Sequence, residues 1–294
     1  MSAHPQARPL VGVVLMSVAV FLFAASDSLG KDLFERYPVP MVQGARYFLT
    51  IVLMLVFFWP KHRKALWQTR RTGLVIARSL ALAIGSLSMG HALQLMPIGE
   101  AVAIIYLSPF AVMLLSGPFL GEKVKPVSWV FAAVGFFGVL TVLRPGAGLD
   151  PLGVTFALLN AAVSTFYLMS SRSLARTEST HAMLFWTAII GTGIFWVLAL
   201  PNLPSELPPT IDMIKIGALG VLATVAHFLF TAAFREAPPS LLAPLNYTHV
   251  VWAALMGIVV FGHLPDHWTI VGMAMIICAG MASAIYVGKR PSGS

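Results

Sequence analysis

The chain has 294 residues, 58% of them hydrophobic and 10% charged, with a mean hydropathy of +0.84. Soluble domains carry about 25% charged residues, so a water-soluble fold is excluded. The formal net charge of +8 does not point to nucleic acid, because the Lys and Arg residues are scattered over segment ends with no soluble surface on which to gather.

A spanning helix needs about 20 mostly apolar residues, and the chain divides into ten such stretches. They cover 9–34, 40–60, 72–95, 97–120 and 127–143, then 152–173, 183–200, 211–234, 240–261 and 268–287. Prolines and glycines cluster at the joints. Trp59, Trp67, Trp129 and Trp268 fall near segment ends, where an amphipathic ring suits the membrane interface. The first segment follows His4 and Arg8 and contains Phe23-Ala24-Ala25-Ser26, which has the look of a leader cleavage site; its length is that of a retained span. Cys278, the single cysteine, lies in an apolar run, so neither a disulfide framework nor a metal site is expected.

Within this series, residues 96–145 form a hairpin of two apolar runs joined by Gly121-Glu122-Lys123-Val124-Lys125-Pro126. The pattern returns near the C-terminus: Pro97, Tyr106 and Gly121 match Pro238, Tyr247 and Gly262 at one constant offset of 141 residues. A duplicated unit is the simplest account, with residues 1–145 as a first five-helix repeat and 146–294 as a second. One difference is visible: Glu122 has His263 as its counterpart. Most Lys and Arg residues fall on one side if the N-terminus is cytoplasmic, leaving Lys31, Arg36, Arg144 and Lys215 outside. Both termini are then cytoplasmic. An odd number of spans per repeat makes the second unit inverted relative to the first, an arrangement that places a substrate path between the halves near the midplane.

The fold class expected is therefore an all-α integral membrane protein of ten transmembrane helices. His91-Ala92-Leu93 to Pro97, Ser108-Pro109, Gly121-Glu122-Lys123 and Gly135 to Pro145 together resemble the repeat signature of the drug/metabolite transporter superfamily, more narrowly its EamA-type ten-helix exporters. The resemblance covers nearly the whole chain. It implies a multi-pass protein of the bacterial inner membrane that exports amino acids, aromatic or apolar ones included, or related small metabolites by alternating access. It also implies a central cavity formed mainly by the first, third, fourth, sixth, eighth and ninth segments.

Ionisable groups at bilayer depth cost about 2.5–3.5 kcal/mol on insertion scales, so each needs a partner, a wet cavity or a function. Asp27 can carry a proton or meet a substrate ammonium; Arg46 on the second segment is an equally good structural partner for it. Glu100, three residues after Pro97, suits the positive end of a helix dipole as well as a substrate. His91 and His249 can handle protons or simply pack. Asn160, Ser164 and Tyr167 share a helical face, as do Thr224, His227 and Thr231, and Asn246, His249 and Ala253. Such stripes line a cavity or act as interhelical glue. Tyr106, Tyr247 and Trp252 offer aromatic walls or core packing, and Ser108 is the counterpart of His249. Pro109 and Pro244 are expected to kink their spans, and Gly272 and Gly280 to let helices approach closely.

Enzyme chemistry finds no HExxH, GxSxG or GxxxxGK[ST] pattern and no close carboxylate pair in a span. A channel finds no filter-like loop. The competing transport reading is a multidrug or cationic-compound exporter, which needs carboxylates where Asp27 and Glu100 alone are available. The partners expected are the lipid bilayer and a small-molecule substrate, with the chain a monomer or weak homodimer and no cofactor.

Overall fold

The computed structural model describes residues 9–120, 126–144, 148–174, 177–237 and 239–288. The Glu122 turn, and with it half of the Glu122/His263 comparison, lies outside them. Among the described residues the regular elements are helices alone, in the order α1 (Pro9–Phe34), α2 (Val39–His62), a 3-10 turn (Arg63–Leu66), α3 (Thr72–Leu95), α4 (Ile98–Ile105), α5 (Leu107–Leu120) and α6 (Pro126–Val142). There follow α7 (Pro151–Leu174), α8 (Thr180–Ala199), α9 (Thr210–Glu236), α10 (Pro239–Asn246), α11 (Thr248–Phe261) and α12 (His267–Gly288). Seven of these, α1, α2, α3, α7, α8, α9 and α12, are long and apolar enough to cross a membrane, and shorter apolar helices run over Ile98–Val112, Trp129–Val142 and Thr248–Phe261.

The helices begin and end where local chemistry dictates. Pro151 opens α7 at a position where a missing N–H costs nothing. Asp150 accepts from the backbone N–H of Leu152 at 2.7 Å, Ser179 from that of Ala182 at 3.1 Å, and Asp266 from that of Thr269 at 2.8 Å, each satisfying an orphan donor of a first turn. Gly262 stops α11 in the left-handed region at φ 68°.

The fourth and ninth apolar stretches are each two helices. The first breaks at Tyr106 and the second at Tyr247, positions related by the offset of 141. At the first break Pro109 has no N–H to offer Ile105, and Tyr106 takes φ −67°, ψ 1°. At the second, the Thr248 hydroxyl donates to the freed carbonyl of Leu245 at 2.6 Å. The two tyrosine rings meet at 5.3 Å, and the Tyr106 hydroxyl donates to the carbonyl of Asn246 at 2.5 Å. Both breaks thus meet in the middle of the bundle.

Packing repeats at the same offset. α1 lies along α9 and α3 along α7, positions that the offset exchanges. At one end of the bundle the Tyr37 hydroxyl donates to Asp212 at 2.7 Å; at the other, Glu178 accepts from the backbone N–H of Arg71 at 2.9 Å. Positions 37 and 178, and positions 71 and 212, are counterparts, so these are the same pair with the halves exchanged. α6 packs on α12 through Gly138 and Gly272: a Cβ on Gly272 would lie 2.6 Å from the carbonyl oxygen of Gly138. Only glycine permits that approach. α4 is buried from Ile98 to Ile104, Glu100 included.

Candidate functional site

Two hollows meet inside the bundle. One, a polar chamber, is lined by Ser26, Asp27 and Gly30 of α1, Gln43 and Arg46 of α2, Gly85 and Ser86 of α3, Asn160 and Ser164 of α7, and apolar side chains. The other is an apolar cleft between α2, α8 and α9, with Tyr47, Met54, Phe58, His181, His227 and Phe228 in its wall. Arg46 and Leu82 belong to both walls, so Arg46 stands at the neck.

Polar groups in the chamber are held largely by α3. Asn160 donates to the carbonyl of Gly85 at 2.6 Å and accepts from Ser164 at 3.0 Å. Gln43 donates to the carbonyl of Ser86 at 3.0 Å, while its Oε1 is buried with no hydrogen-bond partner. Arg46 donates to the Ser86 hydroxyl at 3.2 Å and lies 4.8 Å over the Tyr47 ring. Asp27 does not pair with Arg46. Its carboxylate lies 3.2 Å from Nε2 of His249, in contact but off the hydrogen-bonding line, so that Nε2 too has no hydrogen-bond partner.

The cleft runs toward the end built from residues 63–71 and the α7–α8 corner, where the Trp186 indole donates to the Trp67 carbonyl at 3.2 Å. The opposite end is shut. Lys31, 4% exposed, donates to the carbonyls of Leu93 and Met96 at 2.6 and 3.3 Å, and Gln94 donates to that of Phe34 at 2.5 Å, tying α1 to the last turn of α3. A cation suits the negative end of that helix. Beside it Arg36 bridges Asp32 and Asp212 at 2.5 and 2.6 Å, and Lys215 reaches Asp32 at 2.8 Å. The bond to Asp212 holds the Tyr37 hydroxyl above its ordinary pKa. α7 and α9, the counterparts of α1 and α3, do not pack together among the described residues. The α1–α3 contact thus has no counterpart between α7 and α9.

The residues singled out in the sequence separate into groups. Asp27, Asn160 and Ser164 line the chamber and His227 the cleft. His249 adjoins Asp27, with Phe23 and Tyr106 beside its ring. Tyr106 and Asn246 meet at the broken helices, through the backbone carbonyl of Asn246 rather than its amide. The other candidates lie away from these hollows. His91 bonds to Gln94 at 2.9 Å and stacks on Phe156 at the shut end. Glu100 is buried in the first turn of α4, and Ser108 is buried in that of α5. Tyr167 is turned to Arg78, from which its hydroxyl accepts at 2.8 Å, and Trp252 meets Phe21 edge-on. Gln43 and Ser86 were not anticipated. Gln43, Arg46 and Thr50, three and four residues apart, form on α2 a stripe of the same spacing as those read in the second half.

Comparison with known proteins follows the same two-part division. The EamA-like transporter family matches residues 10–144 and again 151–284. An S-adenosylmethionine uptake transporter of Rickettsia bellii (strain RML369-C) is 27% identical over 282 residues, 95% of each chain. A riboflavin transporter of Vibrio cholerae serotype O1 is 26% identical, over 92% of this chain and 91% of its own. An uncharacterized transporter of Helicobacter pylori (strain ATCC 700392 / 26695) is 22% identical, over 94% and 95%. One solved crystal structure shares the fold with a TM-score of 0.71 at 19% identity, covering 96% of this chain and 99% of its own.

Proposed function

The chain belongs to the EamA-like transporter family, and from that premise we propose that it is a secondary transporter working by alternating access, seen with its chamber open to the cytoplasm. It is a multi-pass membrane transporter and not an enzyme; the finer reading places ten spans in two inverted halves in a bacterial inner membrane, both termini cytoplasmic. One observation carries this reading: a polar chamber in the middle of an apolar bundle is approached from one end and shut at the other. The approached end carries Lys61, Arg63, Lys64, Arg70 and Arg71, which supports a cytoplasmic placement. The family's double match, the paired helix breaks and the exchanged 37–212 and 71–178 contacts support two units, 1–145 and 146–294.

The substrates are small metabolites with a charged or polar head for the chamber and an apolar or aromatic body for the cleft, amino acids among them. The relatives' names do not support amino-acid export in particular. They widen the set to S-adenosylmethionine, itself an amino acid, and riboflavin, and one names uptake rather than export. A multidrug or cationic-compound exporter is the weaker reading, because Asp27, the one carboxylate in the chamber wall among the described residues, shares that wall with Arg46. Counterflow in proteoliposomes separates them, using labelled amino acids, S-adenosylmethionine, riboflavin and an organic cation, with and without a proton gradient. Exchange of the cation alone would sink the preferred reading.

A further inference from the structure

Arg46 and Arg78 are both arginines within apolar helices, and both lack a carboxylate within ion-pair distance among the described residues. Their situations otherwise differ. Arg78 is 4% exposed and its guanidinium is spoken for: it donates to Ser171 at 2.6 Å, Tyr167 at 2.8 Å, Thr187 at 3.1 Å and the carbonyl of Met183 at 3.5 Å. That is a structural arginine holding α3 to α7 and α8. Arg46 has five donors and gives one hydrogen bond, to Ser86 at 3.2 Å. It stands in the wall shared by the chamber and the cleft. A charge kept at this depth without a counter-ion marks a ligand or a pathway.

A second observation comes from the same turn of α2. Gln43 is 4% exposed and belongs to the chamber wall, and its buried Oε1 has no donor to satisfy it. A buried acceptor left bare costs free energy unless something arrives to fill it. Asp27 faces the same chamber. An anion beside a hydrogen-bond donor answers this arrangement, the anion on the guanidinium fork and the donor toward Asp27 on the side of Gln43. The charge of Asp27 opposes a dianion such as a phosphate monoester, whereas a carboxylate carries one charge and matches the fork in its own plane.

We propose that Arg46 is the specificity-determining residue of the transport path, recognising a carboxylate on the transported molecule at the neck between chamber and cleft. The assignment rests on the transporter reading for its setting, but recognition can be measured apart from transport. The protein in nanodiscs is titrated with L-phenylalanine, L-tryptophan, 3-phenylpropionate and indole-3-propionate, with the methyl ester of each, and with phenethylamine and tryptamine. Dissociation constants come from the shift in melting temperature. The expected result is that at least one acid binds the wild type about tenfold or more tighter than its ester, the scale of a charge-assisted hydrogen-bond pair. Arg46→Gln brings that ratio to about one, and Arg46→Lys, which keeps the charge but loses the fork, falls between.

The proposal is overturned if no acid binds better than its ester, or if the ratio survives in Arg46→Gln. Should Arg46→Gln fail to fold, Arg46→Lys decides: an undiminished acid preference overturns the proposal and a diminished one upholds it. Flux of the same compounds into proteoliposomes is scored separately. No flux with the acid preference intact defeats the transporter reading alone; flux with no acid preference defeats the carboxylate assignment alone.

Discussion

Asp27 and Arg46 show how one unknown distance decides what a charged residue in a membrane helix does. The sequence places them on adjacent helices as possible partners; in the fold Asp27 turns to His249 at 3.2 Å and Arg46 is left at the neck. Asp27→Asn is expected to lower the transport rate several-fold, since it removes the carboxylate that faces His249. An unchanged rate in proteoliposome flux would rule out a part for this carboxylate in transport. Tyr106→Phe removes only the hydroxyl that donates to the Asn246 carbonyl. A hydrogen bond of this kind in a membrane bundle contributes about 0.6 kcal/mol on average, so the fold should persist. The turnover rate should change, because the bond joins the two broken helices; identical turnover in the variant would deny the breaks a mechanical part. At this scale Asp27, Asn160, Ser164, His227 and His249 were legible as polar groups in apolar runs. His91 and Tyr167 met the same criterion and Trp252 was read as an aromatic wall, yet the fold turns all three elsewhere, because helical spacing assigns a face and not the neighbour that face meets.

Among the elements, the boundaries of the long helices followed from prolines, caps and apolar length, and those signals act within a turn or two of the chain. The breaks at Tyr106 and Tyr247 did not follow so directly. Pro109 comes three residues after the first and Pro244 three residues before the second, so a proline alone does not locate the break; it also depends on which group takes the freed carbonyl. The glycine contact of α6 and α12 gives a sharper expectation. Gly272→Ala sets a methyl group 2.6 Å from the Gly138 carbonyl oxygen, and overpacking of this kind costs about 1–3 kcal/mol. The melting temperature in detergent should fall by several degrees, whereas Gly257→Ala, whose Cβ would meet nothing within 4 Å, should leave it nearly unchanged. At the start of α12, the backbone N–H of Thr269 foremost, together with Arg144, holds the Asp266 carboxyl below its ordinary value of 3.8. A lowered pKa contributes stability above 3.8 that fades as the pH falls through the folded-state value. Asp266→Asn should therefore lower the melting temperature at pH 7 and bring it together with the wild type in strong acid.

For the molecule as a whole, the shut end is tied by Lys31, Gln94 and the Asp32–Arg36–Asp212–Lys215 network. The exposed members of that network are individually weak, about 0–1 kcal/mol each, which suits a gate that has to open. Lys31 is buried and bonds to two carbonyls of the α3 end. Lys31→Met with Gln94→Leu should move the population toward an outward-open state. A cysteine at Ser86 would then label faster from the outside and more slowly from the cytoplasm; equal rates in variant and parent would show that these ties do not hold the gate. Composition, the ten apolar stretches, the repeat at 141 residues and the charge asymmetry were all present in the sequence, because they depend on local hydropathy and on counting along the chain. Which end is open, which arginine is satisfied and which carbonyl a tyrosine reaches were decided only by the tertiary structure. The two halves can trade equivalent contacts, such as α1 on α3 against α7 on α9, and a linear pattern that is the same in both halves carries nothing to say which of them is made.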